Sequence, residues 1–126
     1  MGDQKNICIL IAASRPSIRS GLKVLLNEQS DLYVVAEAGD SHELLKKVEA
    51  TCPDVILLDW DMLDRSTPIL IKTISALDRK SAVIAMSVES DHQQVAMDSG
   101  ADAFVNLGDP PSELLVTINK TLQMSA

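Results

Sequence analysis

The chain has 126 residues, of which 46% are hydrophobic and 23% charged, a length and composition typical of one soluble globular domain. Its net charge of −7 and aromatic content of 2% argue against nucleic-acid binding, which needs clustered Lys and Arg or stacking rings. No stretch approaches the roughly 20 apolar residues of a membrane span. From these two observations we expect neither a nucleic acid nor a membrane as partner.

The start of the chain and its cysteines indicate a cytoplasmic protein. Residues 1–5 form a short polar tail that is unlike a signal peptide. Cys8 and Cys52 lie within or beside apolar runs, and two cysteines are too few for a disulfide framework. We therefore expect free thiols in a reducing environment.

The first predicted unit is a buried strand followed by a helix. Ile7–Ala13 is a short continuous apolar run, as in a strand that is buried on both faces. Pro16 suits the first turn of a helix, and apolar residues recur beyond it at helical spacing. These residues are Ile18, Leu22, Leu25 and Leu26.

The second unit combines a strand with a capped helix. Leu32–Ala38 is β-branched in its middle and predicts a strand. Asp40, with Glu43 three residues later, resembles a capping box and predicts the start of a helix. Pro53 ends that helix.

The third unit carries a carboxylate at the end of its strand. Val55–Leu58 predicts a strand that is followed directly by Asp59. Apolar residues at helical spacing then predict a third helix over Pro68–Leu77.

The fourth unit is predicted to be short. Ala82–Met86 predicts a strand that ends at Ser87. Ser90 and Gln93 have the spacing of a helix cap, and Gly100 is suited to the position just after a helix.

The fifth unit ends the pattern. Ala103–Val105 predicts a short strand, and Asp109 before Pro110 and Pro111 predicts the start of a last helix. The apolar face of that helix consists of Leu114, Leu115, Ile118 and Leu122.

Five strand–helix units without a hairpin signal predict an α/β fold, with helices on both faces of a parallel sheet. In such sheets the working site lies beyond the carboxyl ends of the strands. The candidate site residues are therefore Ala13, Ser14, Asp59, Ser87 and those just after Val105.

Two segments carry a resemblance to a known family. The sequence P-D-V-I-L-L-D at residues 53–59 and the sequence G-A-D-A-F at residues 100–104 resemble the receiver domains of two-component response regulators. The resemblance implies a flavodoxin-like, doubly wound five-stranded sheet of strand order 2-1-3-4-5, in a domain over residues 6–124. It is closest in character to receivers of regulators with helix-turn-helix output domains, and we expect a stand-alone receiver.

The resemblance also implies roles for single residues. Asp59 matches the aspartate that accepts a phosphoryl group from the phosphohistidine of a histidine kinase. Ser87 matches the hydroxyl residue that contacts the phosphoryl group, and Phe104 matches the aromatic that swings inward as the readout. From the residues alone, Ser87 also fits a turn and Phe104 also fits the core.

Three positions depart from the family pattern. Ala13 and Ser14 align with the acidic pair that holds Mg²⁺, and Leu107 aligns with the lysine that meets the phosphoryl oxygens. These departures leave Asp59 as the matching carboxylate, so we expect a weakened Mg²⁺ site. Each lost donor typically slows such a reaction by about 10²–10³-fold.

Two nearby residues offer compensation for these losses. Asp61 adds a carboxylate that, with Asp59, makes a weak Mg²⁺ site conceivable. Arg15 beside the vacated acidic pair offers a guanidinium to a phosphate. A plainer interpretation is that both are solvated loop residues. His42 and His92 are interpreted as exposed surface residues.

The resulting functional hypotheses fall into different classes. The favoured one is a non-enzymatic protein-interaction module with weak or no phosphorylation, which uses a face containing Gln93, Val95, Phe104 and Pro110–Pro111 or forms a homodimer. The alternative is a phosphoacceptor switch that a histidine kinase phosphorylates on Asp59. A remote alternative is a phosphatase similar to haloacid dehalogenases, with Asp59 as nucleophile and Asp61 as acid/base.

Overall fold

The structure is a computed structural model that describes residues 6–62, 67–77 and 81–124, so the predicted N-terminal tail lies outside the described residues. The strands are β1 (Ile7–Ala12), β2 (Leu32–Ala38), β3 (Val55–Asp59), β4 (Ala82–Ser87) and β5 (Ala103–Asn106). The α-helices are α1 (Pro16–Asn27), α2 (Ser41–Thr51), α3 (Thr67–Leu77), α4 (His92–Asp98) and α5 (Pro111–Met124). A short 3-10 helix, Trp60–Met62, follows β3.

The strands form one parallel sheet in the order β2-β1-β3-β4-β5, which confirms the predicted flavodoxin-like topology. The register places Asp59 level with Met86, and Ser87 level with Asn106. The carboxyl ends of β3 and β4 therefore lie side by side at one edge of the sheet.

The sheet is buried on both faces, and its central strands are apolar up to the residues that end β3 and β4. Ile9 and Ile11 belong to a core cluster with residues of α1 and α5. Leu10 and Ala12 belong to a second cluster with residues of α2 and α3. This alternation explains why these strands appear in the sequence as unbroken apolar runs.

The start of α2 follows the sequence prediction closely. Oδ1 of Asp40 accepts a hydrogen bond from the backbone N–H of Glu43 at 2.8 Å. Oε1 of Glu43 accepts one from the N–H of Gly39 at 2.7 Å, one residue before the cap. The bonds satisfy the orphan N–H of Glu43 in the first turn and the N–H of Gly39 before the cap.

The predicted side-chain cap on α4 is wrong. The helix begins at His92, after an N-cap residue, Asp91, that makes no side-chain capping bond. The hydroxyl of Ser90 instead accepts a hydrogen bond from the amide of Asn106 at 3.1 Å, which ties it to the end of β5.

The glycine predicted to follow α4 is required by the backbone. Gly100 has a φ of +110°, and a Cβ there would lie 3.2 Å from Cγ2 of Ile71. We expect Gly100→Ala to lower the free energy of unfolding by about 1–3 kcal/mol in urea titrations. Gly21→Ala is the matched control, because Gly21 lies in α1 with open space around it, and should be neutral or stabilising. Equal stability of the two variants would contradict this account.

Among the described residues, no helix is long and apolar enough to cross a membrane.

Candidate functional site

Asp59 lies at the centre of the polar residues at the carboxyl edge of the sheet. It ends β3, and its side chain is fully buried. Oδ1 accepts a hydrogen bond from the backbone N–H of Asp61 at 3.0 Å. Oδ2 is also buried, and no hydrogen-bond partner for it exists in the described part of the chain.

The surroundings of Asp59 favour its neutral form. Burial raises the pKa of the Asp59 carboxyl above its usual value of 3.8, and the nearby carboxylate of Asp61 adds to the rise. The N–H of Asp61 and the charge of Arg15 lower this pKa, but they do not outweigh burial. The pocket thus supplies little positive charge to stabilise the ionised form of Asp59.

The loop after β1 carries no acidic pair. Ala13 is fully buried, and Ser14 is exposed. Nη1 of Arg19 donates hydrogen bonds to the backbone oxygens of Ala13 at 2.6 Å and Ser14 at 3.3 Å. Arg19 also forms an ion pair with Glu37, with Nε and Oε1 3.4 Å apart. The guanidinium of Arg19 is therefore hydrogen-bonded to the backbone carbonyl oxygens of this loop.

The two predicted compensating residues have different surroundings. Arg15 is exposed, and its charge acts on Asp59 through space. The side chain of Asp61 lies beside His92, with Oδ1 3.7 Å from Nδ1. The charge of Arg15 lowers the pKa of Asp59, whereas the carboxylate of Asp61 raises it, so the two residues act on this carboxyl in opposite directions.

The interpretation of His92 as an exposed surface residue is wrong. Its side chain is half-buried, and Nδ1 lies 2.8 Å from the hydroxyl oxygen of Ser87. The reason is that α4 begins at His92, which brings this side chain back to the end of β4. His42, in contrast, is exposed at the start of α2, as predicted.

The two residues predicted to act as switches differ in burial. Ser87 is fully buried at the end of β4, where its hydroxyl also accepts a hydrogen bond from the N–H of Glu89 at 3.0 Å. Phe104 is half-buried on β5 and packs against the core cluster that includes Ala96 of α4.

Leu107, at the position of the family's lysine, is part of an apolar environment. It is half-buried and packs against the cluster formed with α1 and α5. It also lines a cleft of about 340 Å³ between α1 and the start of α5, together with Leu25 and Leu114. An apolar contact thus replaces a cation at this position.

The residues present fit Mg²⁺ poorly. Asp59 and Asp61 supply the two carboxylates of the predicted site, while Ala13 has no ligand atom in its side chain. Within the described residues, no group of three or more His, Cys, Asp or Glu side chains is arranged to hold a metal. The guanidinium of Arg19 on the loop after β1 adds a charge that opposes a divalent cation there.

Sequence reasoning did not identify Arg19 and His92 as parts of this edge. Arg15 is the N-cap residue before α1 and Arg19 lies in the first turn, so their spacing of four does not mark Arg19 as a partner of the loop after β1. The role of His92 depends on where α4 begins, which the misassigned cap at Ser90 obscured.

Comparisons with known proteins identify the family of the chain. Residues 9–119 match the response regulator receiver domain family. The chain is 29% identical over 125 residues to the nitrate/nitrite response regulator protein NarL of Escherichia coli strain K12, covering 95% of this chain and 56% of that protein. It is 32% identical over 111 residues to the uncharacterized transcriptional regulatory protein YhcZ of Bacillus subtilis, covering 86% and 52% respectively.

Solved structures show the same fold. The response regulator domain of Thermotoga maritima CheB has a TM-score of 0.82 and 25% identity, covering 94% of this chain and 98% of that one. A LuxR-family response regulator from Aurantimonas sp. SI85-9A1 has a TM-score of 0.85 and 23% identity, covering 94% and 86%. The chain spans about half the length of the curated relatives that it matches. By its matched residues and its topology, the chain belongs to the response regulator receiver domain family.

Proposed function

We propose that this receiver domain of two-component signalling works as a non-enzymatic protein-interaction module, with weak or no phosphorylation of Asp59. The observation that carries the proposal is the burial of the Asp59 carboxyl without a compensating positive charge. Its carboxyl is fully buried, one of its oxygens has no partner within the described residues, and burial raises its pKa. The surroundings of this carboxyl lack the positive charge that phosphoryl transfer needs.

The physical chemistry of phosphoryl transfer supports this proposal. Catalysis of this transfer is almost entirely positioning and charge stabilisation by metal ions and cationic side chains. Here Ala13 and Ser14 replace the expected metal ligands, and Leu107 replaces the expected cation. With losses of about 10²–10³-fold for each donor, the transfer rate falls by several orders of magnitude.

We propose three kinds of protein partner: a histidine kinase, another signalling protein or a second copy of the chain. The face that we propose for contact comprises α4, β5 and the start of α5. Val95 on α4 is half-exposed, and Val88 in the turn before α4 is more than half-exposed. Exposed apolar side chains of this kind are typical of protein-contact surfaces.

A second candidate function is that of a phosphoacceptor switch phosphorylated on Asp59 by a histidine kinase. The observation in its favour is that Asp59 and Ser87 end adjacent strands at the carboxyl edge of the sheet. The charge of Arg15, which lowers the pKa of Asp59, also favours it.

Intact mass after incubation with acetyl phosphate and Mg²⁺ distinguishes the two functions. We expect no mass gain for the chain, while a receiver that has the acidic pair and the lysine gains one phosphoryl group under the same conditions. Asp59→Asn is run alongside. A gain by the chain that is absent in Asp59→Asn would contradict the interaction-module proposal and establish the phosphoacceptor.

A further inference from the structure

The hydroxyl of Ser87 is buried close to Asp59 but is engaged elsewhere. Ser87 is one residue beyond the partner of Asp59 in the sheet register. Its oxygen accepts the backbone N–H of Glu89 at 3.0 Å and lies 2.8 Å from Nδ1 of His92. Oδ2 of Asp59 remains without a hydrogen-bond partner in the described residues. A hydroxyl donor and a carboxylate acceptor are thus both buried at this edge without bonding to each other.

The hydrogen bonds around Ser87 determine where its proton goes. One lone pair of the hydroxyl oxygen already receives the N–H of Glu89. If Nδ1 of His92 also donated, the hydroxyl proton would have no acceptor within hydrogen-bond distance among the residues described, and a buried donor without an acceptor is disfavoured. The Ser87 hydroxyl is fully paired when the neutral imidazole carries its proton on Nε2 and accepts the hydroxyl proton at Nδ1.

Asp61 is the charged group beside the imidazole, and it does not displace Ser87 as the partner. Oδ1 of Asp61 is 3.7 Å from Nδ1 of His92, which is beyond hydrogen-bond length. About a third of each of these two side chains is exposed, so water weakens the attraction between them. The 2.8 Å contact with the fully buried Ser87 is therefore the stronger constraint on Nδ1.

We propose that His92 is a positioning residue that holds the Ser87 hydroxyl away from Asp59. The imidazole thereby withholds a donor that the pocket would otherwise offer to a group on Asp59. Because His92 is the first residue of α4, the same bond ties the start of that helix to the end of β4. The inference deepens the proposed function and rests on it, since a withheld hydroxyl matters most in a pocket that already lacks a lysine.

Nitrogen NMR of the full chain tests the tautomer and the bond without any phosphodonor. The chain has two histidines, so the exposed His42 serves as an internal reference for a ring free in water. We expect the Nδ1 of His92 to show the signal of a hydrogen-bonded acceptor with the proton on Nε2. Ser87→Ala should shift this signal toward that of His42.

Amide hydrogen exchange of Glu89 measures what the bond does for the turn. In His92→Leu the hydroxyl loses its acceptor, and we expect the N–H of Glu89 to exchange about tenfold faster. His92→Asn keeps an acceptor atom at the position of Nδ1 and should stay within about threefold of the wild type. His42→Leu should leave the exchange of Glu89 unchanged.

The outcomes separate this inference from the proposed function. A His92 signal like that of His42, or equal Glu89 exchange in the wild type and His92→Leu, would overturn the role of His92. If the N–H of Glu89 exchanged as fast in His92→Asn as in His92→Leu, this role would also be overturned. The faster exchange in His92→Leu would then be explained by lost packing. Uptake of phosphate from acetyl phosphate would overturn only the proposed function.

Discussion

Restoring the three missing groups should turn the chain into a phosphoacceptor. The variant carries Ala13→Asp, Ser14→Asp and Leu107→Lys, which supply two carboxylates for Mg²⁺ and one cation for the phosphoryl oxygens. Because each donor is typically worth about 10²–10³-fold, we expect phosphorylation by acetyl phosphate to be at least about 10³-fold faster than in the wild type. Intact mass against time of incubation measures this rate.

Stability offers an independent measurement on the same variant. Ala13 is fully buried, so a carboxylate there is costly until a cation binds it. Mg²⁺ should therefore raise the melting temperature of the variant far more than that of the wild type. Trp60, which directly follows Asp59 and is nearly buried, should report the same binding by fluorescence. The stem of the new lysine can keep part of the apolar packing of Leu107.

Two further variants make the result interpretable. Adding Asp59→Asn to the three substitutions should abolish the mass gain, which would locate the phosphoryl group on Asp59. If the buried Ala13→Asp prevents folding, the pair Ser14→Asp and Leu107→Lys retains one carboxylate and the cation, and should still be phosphorylated faster than the wild type. A folded variant that takes up no phosphate in either form would show that the losses at these positions do not explain the proposed inactivity.

The fold was predictable because its signals are local or periodic. The continuous apolar runs at β1, β3 and β4 follow directly from burial on both faces of the sheet, and the predicted bounds of β2 match the observed Leu32–Ala38. Gly100 was identified because glycine commonly follows a helix end, and its observed φ of +110° is one that other residues adopt only with strain. The strand order came from the family resemblance, since the alternation of strands and helices does not determine it.

The site was only partly predictable because some of its contacts join distant elements. The positions of Asp59 and Ser87 follow from their places at the ends of strands. The contact between His92 and Ser87 depends on the first turn of α4, where the expected cap by Ser90 is replaced by a bond from Asn106. The hydrogen bonds from Arg19 to the carbonyls of Ala13 and Ser14 depend on how α1 packs beside the loop. Neither contact has a sequence signature.

Replacing the buried Asp59 by asparagine should stabilise the fold at neutral pH. The wild-type carboxylate is fully buried with one oxygen unpaired in the described part of the chain, and an unpaired buried polar group costs about 1–3 kcal/mol, or more when it is charged. The asparagine side chain would keep the oxygen that accepts the N–H of Asp61 and remove the charge. The amide nitrogen in place of Oδ2 would itself be a neutral buried group without a partner, so we expect Asp59→Asn to raise the free energy of unfolding by only about 1 kcal/mol, as measured by urea titration.

The pH dependence of this gain tests its cause. Burial raises the pKa of Asp59 in the folded chain above the usual 3.8, so the folded state binds the proton more tightly than the unfolded state does. The stability that this proton contributes is full below the unfolded pKa and is lost as pH rises through the folded pKa. The advantage of Asp59→Asn over the wild type should therefore grow as pH rises from acid and level off above the folded pKa. A gain from Asp59→Asn that is independent of pH would rule out desolvation of the charge as its origin.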